Sequence, residues 1–580
     1  MKKALLKERK PLLVILAVYI ITFILTYGCQ GNLIVDCGRE AYIPFAISQN
    51  KLLYKDIFCI YGAFPYLFNA FFFKLFSPNL NILYLIGGTF GLLYTYGVYF
   101  CSREFLSKAL SICICMLIIY SVIFNGSIFN FIFPYSYAIV ISSTCAIWIL
   151  FLLLKYIHTK KTDLLYYCSF LWGIISVSKI EFIPTAILVL AIFLLYENEK
   201  KLKFIKLILF SSIVPALTLL ILLTQGVSFG DVMQNAKHIN EMIHTKSFKY
   251  FYENLSVLSF STKNFLINLK GLLSTAFISL IFFYISLFAI RKRRKFLKYS
   301  LLVAMVIFCY SLIYLQETMS EMIFATLPYI YTIAFLVYLY KYLKIKEYKN
   351  PNKVKILVLL IFTLVCSLKS FHALLLSFYG SYCFAPYIIC LAIFIKEFLS
   401  NNALYNTKGQ YETILSVYLL IITLIFANEL IISSYERNSI VKTSYGTIKT
   451  TEKIAQPFNE TLQYLNTHSK QGDSLLVIPE GIILNFLSGK TNDFYQTSLI
   501  PLDFDTFKED NIINEIKVNK PEFIAFTNRE TDEYGQSYIC KDYGMNTCKY
   551  VAHNYSLEAA FGEKFRIYLF KNKELENEKE

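Results

Sequence analysis

The sequence has 580 residues, 56% of them hydrophobic and 17% charged, with 52 Phe and 45 Tyr, a composition that excludes a water-soluble multidomain enzyme. The formal charge of +16 averages two unlike parts: residues 1–429 hold 39 Lys and Arg against 18 Asp and Glu, whereas residues 430–580 hold 17 against 22. The basic residues sit in short clusters between apolar runs, as topology signals do, so no nucleic-acid partner is expected.

The first apolar run, Pro11 to Tyr27, follows the basic stretch Lys2 to Lys10 and lacks a small-x-small cleavage pattern, so it reads as a retained signal anchor. A membrane span needs about 20 mostly apolar residues. That rule gives thirteen candidates, at approximately 11–28, 80–100, 107–124, 134–155, 163–179, 182–196, 204–223, 267–290, 297–315, 322–341, 355–374, 382–399 and 411–429. A single kinked span or a re-entrant pair within 163–196 would change the number by one. With the N-terminus inside, alternate connections are basic: Lys2 to Lys10, Arg103 to Lys108, Lys155 to Lys161, Lys200 to Lys206, Arg291 to Lys298, Lys341 to Lys355 and Lys396 to Lys408. This alternation places residues 430–580 outside the cytoplasm.

Two external segments, about 29–79 and 224–266, are too long to be turns. In the first, apolar, aromatic-rich stretches such as Ala63 to Phe76, interrupted by Pro65 and Pro78, read as interfacial helices. A span there would reverse every later loop and put the basic clusters outside. Beyond Glu429, apolar stretches at Asp473 to Pro479, Glu522 to Thr527 and Arg566 to Phe570 predict strands. Helical stretches near 451–466, 481–487 and 507–517 alternate with them, and Lys571 to Glu580 reads as a solvated tail. This is a small α/β domain with no Walker or dinucleotide fingerprint. Cys540 and Cys548 are compatible with a disulfide on an extracytoplasmic face.

The strongest local signal is Asp36-Cys37-Gly38-Arg39-Glu40, directly after the first span, followed by Lys51 and by Tyr54-Lys55-Asp56 and Tyr61-Gly62. Charges in a folded loop beside lipid need partners. Asp36 in a partly buried pocket could accept a proton from a hydroxyl while Arg39 or Lys55 neutralises a phosphate leaving group, a pairing suited to glycosyl transfer. A lipid-phosphate sugar donor would need no nucleotide-binding domain. Lys179-Ile180-Glu181 interrupts an apolar region near the outer boundary and forms a second candidate. Glu317, Glu321 and His372 read as packing or loop residues. The six His show no ligand spacing, so no obligatory metal is expected, although His238, Glu241 and His244 share the second long loop and leave a divalent ion open.

The first-loop motif and the layout of 1–429 resemble the GT-C membrane glycosyltransferases, in the branch of protein O-mannosyltransferases and bacterial lipid A aminoarabinose transferases (glycosyltransferase family 39-like). The resemblance implies a polytopic all-α membrane domain over 1–429, of about thirteen helices, with a small extracytoplasmic α/β domain over 430–580. It implies Asp36 as general base and Arg39 as phosphate-binding or loop-structuring, in an Asp-x-x-Arg arrangement similar to the aminoarabinose transferases. Glu40, Lys51, Lys55, Asp56, Lys179 and Glu181 are donor-phosphate or cavity candidates. Two departures argue against protein mannosylation: the acidic pair of the O-mannosyltransferases is Asp36-Cys37 here, and the next external loop presents Asn125 and Asn130. The expected partners are a polyprenyl-phosphate-linked sugar, a glycan, lipid or protein hydroxyl, and membrane lipid, with inversion at the anomeric carbon and a bacterial plasma-membrane location. The competing readings are a lipid-linked sugar flippase, which predicts inverted repeats, and a surface-polysaccharide ligase or polymerase, which would more often carry several external arginines.

Overall fold

The computed structural model describes residues 2–197, 200–255, 350–366, 379–400, 410–470 and 473–574, with 266, 269–270, 273, 333 and 335–340. The expected spans at 267–290 and 297–315 lie almost entirely outside the described residues, as does most of 322–341, and Glu317, Glu321 and His372 lie outside them.

The membrane part is helical. In chain order its helices are α1 Lys2–Leu25, α2 Cys37–Ser48, α3 Ala63–Phe76, α4 Leu80–Arg103, α5 Lys108–Ile118, α6 Tyr137–Thr159, α7 Asp163–Ser176, α8 Thr185–Tyr196, α9 Lys200–Gln225, α10 Phe229–Ile243 and α11 Lys246–Leu255. After the gap come α12 Pro351–Cys366, α13 Phe384–Ser400 and α14 Gln410–Glu436. Among the described residues, five helical stretches are long and apolar enough to cross a membrane: Leu80–Arg103, Tyr137–Thr159, Lys200–Gln225, Gly380–Glu397 and Glu412–Glu436. The 23 residues of α6 span about 35 Å at 1.5 Å per residue, enough for a hydrocarbon core. α6 is apolar all round and buried on nearly every side, whereas α9 leaves Leu209, Leu217 and Leu220 exposed, as a lipid-facing helix does. The 14 residues of α3 reach only about 21 Å, and one face is buried while Phe71, Leu75 and Phe76 are exposed. This geometry is that of an interfacial helix. The 163–196 region is two short helices, α7 and α8, broken at 177–184 around a single turn Ile180–Phe182.

Among the described residues, members of several basic clusters meet at one end of the molecule. Glu8 pairs with Arg103 (3.5 Å) and Lys108 (3.6 Å), while Glu104 pairs with Lys155 and Lys355, each at 2.6 Å. Lys396 donates to the Phe105 carbonyl (2.9 Å), and Lys203 pairs with Glu197, which also accepts from Tyr156 and Thr162. The opposite ends of α1, α4 and α6 carry the loops and domain described next.

α14 runs to Glu436, past the expected boundary at 429. It leads into an antiparallel hairpin, β1 Ser439–Thr443 with β2 Gly446–Thr450, that the sequence pattern did not reveal. The hairpin seats on the membrane part: Leu80 N–H donates to the Tyr445 carbonyl (2.8 Å) and Lys449 N–H to that of Gly28 (2.7 Å). A four-stranded sheet follows, ordered β3 Leu475–Ile478, β4 Phe523–Thr527, β6 Ile567–Asn572, β5 Tyr555–Phe561. β3 and β4 are parallel and the other pairs antiparallel. Three strands match the expected segments and β5 is additional. β6 extends through Asn572, so the expected tail begins as a paired strand. Cys540 and Cys548 form a disulfide.

Candidate active site

The site is built where the segment between α1 and α4 meets the C-terminal domain. α2 is the docking platform. A Cβ on Gly38 would approach the Ile483 backbone nitrogen at 2.7 Å, so only glycine admits this contact. Phe45 packs on Tyr445 and Phe486, and Tyr42 Oη accepts from Asn492 N–H (2.6 Å). Arg437, at the exit of α14, donates to the carbonyls of Cys29, Gly31 (2.9 Å) and Gly126 (2.7 Å) and so ties the loop before α2 to the loop after α5.

Asp36 precedes α2 with φ of +48° and ψ of −57°, outside the left-handed helical region and strained for any L-residue, and Cys37 N–H closes the turn across it onto the Val35 carbonyl (2.5 Å). Its side chain does not cap the helix. It pairs instead with Arg39 one turn on (Nη2 to Oδ1, 3.2 Å) and stays 33% exposed. Its backbone N–H donates to Glu480 Oε1 (3.1 Å), in the loop after β3, and Glu480 Oε2 meets Arg529 Nε at 3.3 Å. Burial raises the Glu480 carboxyl to about 7 against the opposing pull of Arg529. Arg39 donates a second bond from Nη2 to the Tyr135 carbonyl (3.0 Å) and lies over the Tyr61 ring, 5.3 Å from its centroid. Burial would lower the Arg39 pKa, but Asp36, Tyr61, Tyr66 and Glu40 outweigh it and hold the guanidinium charged.

Tyr61 is placed by a close backbone approach. Gly62 N–H donates to the Ser178 carbonyl (3.0 Å) and Phe64 N–H to that of Val177 (3.1 Å), and a Cβ on Gly62 would run into the Val177 carbonyl oxygen. The pairing sets the Tyr61 ring against Lys179, whose Nζ is 4.0 Å from the ring centroid. Lys179 is 1% exposed, donates to Tyr135 Oη (3.1 Å) and lies 3.7 Å from Glu181. Two cations from distant segments thus share one aromatic ring, beside a half-buried carboxylate. Asn130, fully buried, bonds the Ser127 carbonyl and the Phe133 backbone and shapes the loop that delivers Tyr135.

The structure therefore brings together Asp36, Arg39, Lys179 and Glu181, with Glu40 against Arg39 Nε (3.5 Å), and sets Lys51, Lys55 and Asp56 apart. Glu40 is fully buried beneath the site: its carboxylate accepts from Tyr66 Oη (2.8 Å) and Tyr137 N–H (2.7 Å), joining α2, α3 and the N-terminus of α6. Burial raises its pKa. Lys51 pairs with Asp493 of the C-terminal domain (2.8 Å) and acts as a docking contact. Lys55 is exposed, and Asp56 accepts from Leu52 N–H (2.8 Å) to close its own turn. In the second loop His238 packs among Phe58, Tyr495 and Phe507, and His244 contacts the Asn240 carbonyl. Among the described residues no group of three or more His, Cys, Asp or Glu converges as a metal site. Tyr61 joins the site from the motif already singled out, and Tyr135, Glu480 and Arg529 join it without a sequence signal of their own.

No family model matches the chain, and no curated protein matches it. Among solved structures it is similar to ArnT from Cupriavidus metallidurans bound to undecaprenyl phosphate, at 12% identity and a TM-score of 0.48 over 96% of this chain and 97% of that one. It is also similar to the Archaeoglobus fulgidus oligosaccharyltransferase in complex with zinc and sulfate, at 12% identity and a TM-score of 0.48 over 90% and 68%. At 12% identity neither likeness assigns a donor, acceptor or site residue to this chain.

Proposed function

We propose that the protein is an inverting glycosyltransferase that moves a sugar from a polyprenyl-phosphate donor to a hydroxyl acceptor on the extracytoplasmic face of the membrane. The observation that carries this reading is the sharing of the Tyr61 ring by Arg39 and Lys179, next to the Asp36 carboxylate. In the reaction the acceptor oxygen bonds to the anomeric carbon as its proton passes to Asp36, and the bond from that carbon to the phosphate oxygen breaks. Polyprenyl phosphate leaves with the bonding electrons. Arg39 and Lys179, already held in place by aromatic and carbonyl contacts, offset the charge that develops on it. Glu181 balances Lys179 while the donor is absent. The reading contains no metal step.

The outward orientation rests on the basic clusters gathered at the far end of α1, α4 and α6, which the positive-inside rule assigns to the cytoplasm. The test is incubation of the purified protein with a panel of short-chain polyprenyl-phosphate sugars and candidate acceptors, with products identified by mass. Release of polyprenyl phosphate together with a glycosylated acceptor supports the proposal. Lipid-sugar movement across vesicles without release from any donor favours the flippase instead.

A further inference from the structure

We propose that Glu480 of the C-terminal domain is a positioning residue for Asp36, holding the start of α2 in the backbone conformation that aims the Asp36 carboxylate into the site. The inference rests on Asp36 as the base and adds to that site a residue from the far end of the chain. A non-glycine residue at φ +48° persists only where its surroundings fix it. Within its own segment Asp36 is held by Cys37 N–H on the Val35 carbonyl (2.5 Å), by Arg39 N–H on its own carbonyl (3.0 Å) and by the Arg39 guanidinium on its carboxylate. The remaining backbone donor is taken by Glu480 Oε1.

Glu480 is itself immobilised. It follows β3 and Arg529 follows β4, and because these strands are parallel neighbours both residues emerge at the same edge of the sheet. There Arg529 Nε holds Glu480 Oε2, Thr527 Oγ1 donates to the Glu480 carbonyl (3.0 Å), and Glu533 grips the other side of the Arg529 guanidinium. A rigid sheet edge therefore fixes the geometry of a loop it never adjoins in sequence. Without the Glu480 acceptor, Asp36 is free to relax toward ordinary φ and swing its carboxylate away, while Lys179 keeps its place on α7–α8 contacts.

The experiment uses full-length purified protein and the variants Glu480→Ala, Glu480→Gln and Glu480→Asp. It measures hydrogen exchange at the Asp36 amide, and kcat and KM for a short-chain polyprenyl-phosphate sugar. For E480A the expected result is Asp36 amide exchange faster by about 10-fold or more, with kcat lowered about 10- to 100-fold and donor KM within about twofold. E480Q keeps one oxygen for the Asp36 N–H but turns an amide NH2 toward Arg529, and is expected to restore both readouts only in part, to within about 10-fold of wild type. E480D keeps the charge for Arg529 but withdraws the oxygen by one methylene, and is expected to fall between. If E480A fails to fold, the contrast between E480Q and E480D decides. Equal Asp36 exchange in wild type and the impaired variants, or unchanged kcat, overturns the role of Glu480. A wild-type chain that releases no polyprenyl phosphate overturns the transfer reading instead, and the exchange measurement still decides the contact.

Discussion

Asp36 is one-third exposed and Glu40, one helical turn further on, is buried completely, and that difference separates their roles. Replacing Glu40 by Ala strands the Tyr66 hydroxyl and the Tyr137 N–H and is expected to cost about 2–3 kcal/mol of stability, seen as a lowered thermal midpoint of the purified protein. Asp503 is a second buried carboxylate, bonded to Ser498 Oγ (2.8 Å) and Ile500 N–H (3.1 Å), and burial raises it to about 7. A carboxyl raised on folding favours the native state fully below its unfolded value of about 3.9, and that benefit is lost as pH rises through 7. The thermal midpoint should therefore fall between pH 5 and pH 8 by a component that Asp503→Asn removes. Asp36, Arg39, Lys179 and Glu181 were legible in the sequence because charge next to lipid needs a reason. Tyr61 was marked only as part of the first-loop motif, without a role, and Tyr135 was not marked, since aromatics make up 17% of the chain. Glu480 was not, because its contact with Asp36 spans 444 positions.

Among the elements, the break between α7 and α8 matters more to the site than either helix. Segment 61–64 hydrogen-bonds to 177–178, and this short pairing is what unites the two cationic segments. Gly62→Ala would push the pairing apart and lift Tyr61 from Lys179. The expected outcome is a loss of transfer activity of about 10-fold or more, with raised donor KM in a steady-state assay. The long apolar helices were legible from periodicity and length, while the strands were less so. β5, Tyr555–Phe561, follows the helix Met545–Asn554 without a turn and carries a register irregularity between Leu557 and Ala559, so no clean alternation announces it. The β1–β2 hairpin is short and half-polar, and it is stabilised by docking on Leu80 and Gly28 that sequence alone does not display.

For the whole molecule, the two halves of the chain form one functional surface. α2 docks the C-terminal domain through Gly38, Tyr42 and Phe45, and the second external loop clamps it from the other side, with Asn235 bonded to Cys59 and Tyr495 and Ser247 bonded to Asp505. The basic end lies away from this surface, so the disulfide and the basic clusters should face opposite compartments. After reduction, a membrane-impermeant maleimide applied to sealed right-side-out vesicles is expected to label Cys540 and Cys548 without permeabilisation, as read by peptide mass. Labelling only after permeabilisation would reverse the orientation. The central claim is that Asp36 activates the acceptor hydroxyl, and the most direct test is the rate of polyprenyl phosphate release by wild type and Asp36→Asn. Asn keeps the side chain's size but cannot take the proton. The account predicts release slowed by about 100-fold or more in a variant of unchanged thermal stability; release at the wild-type rate would contradict it.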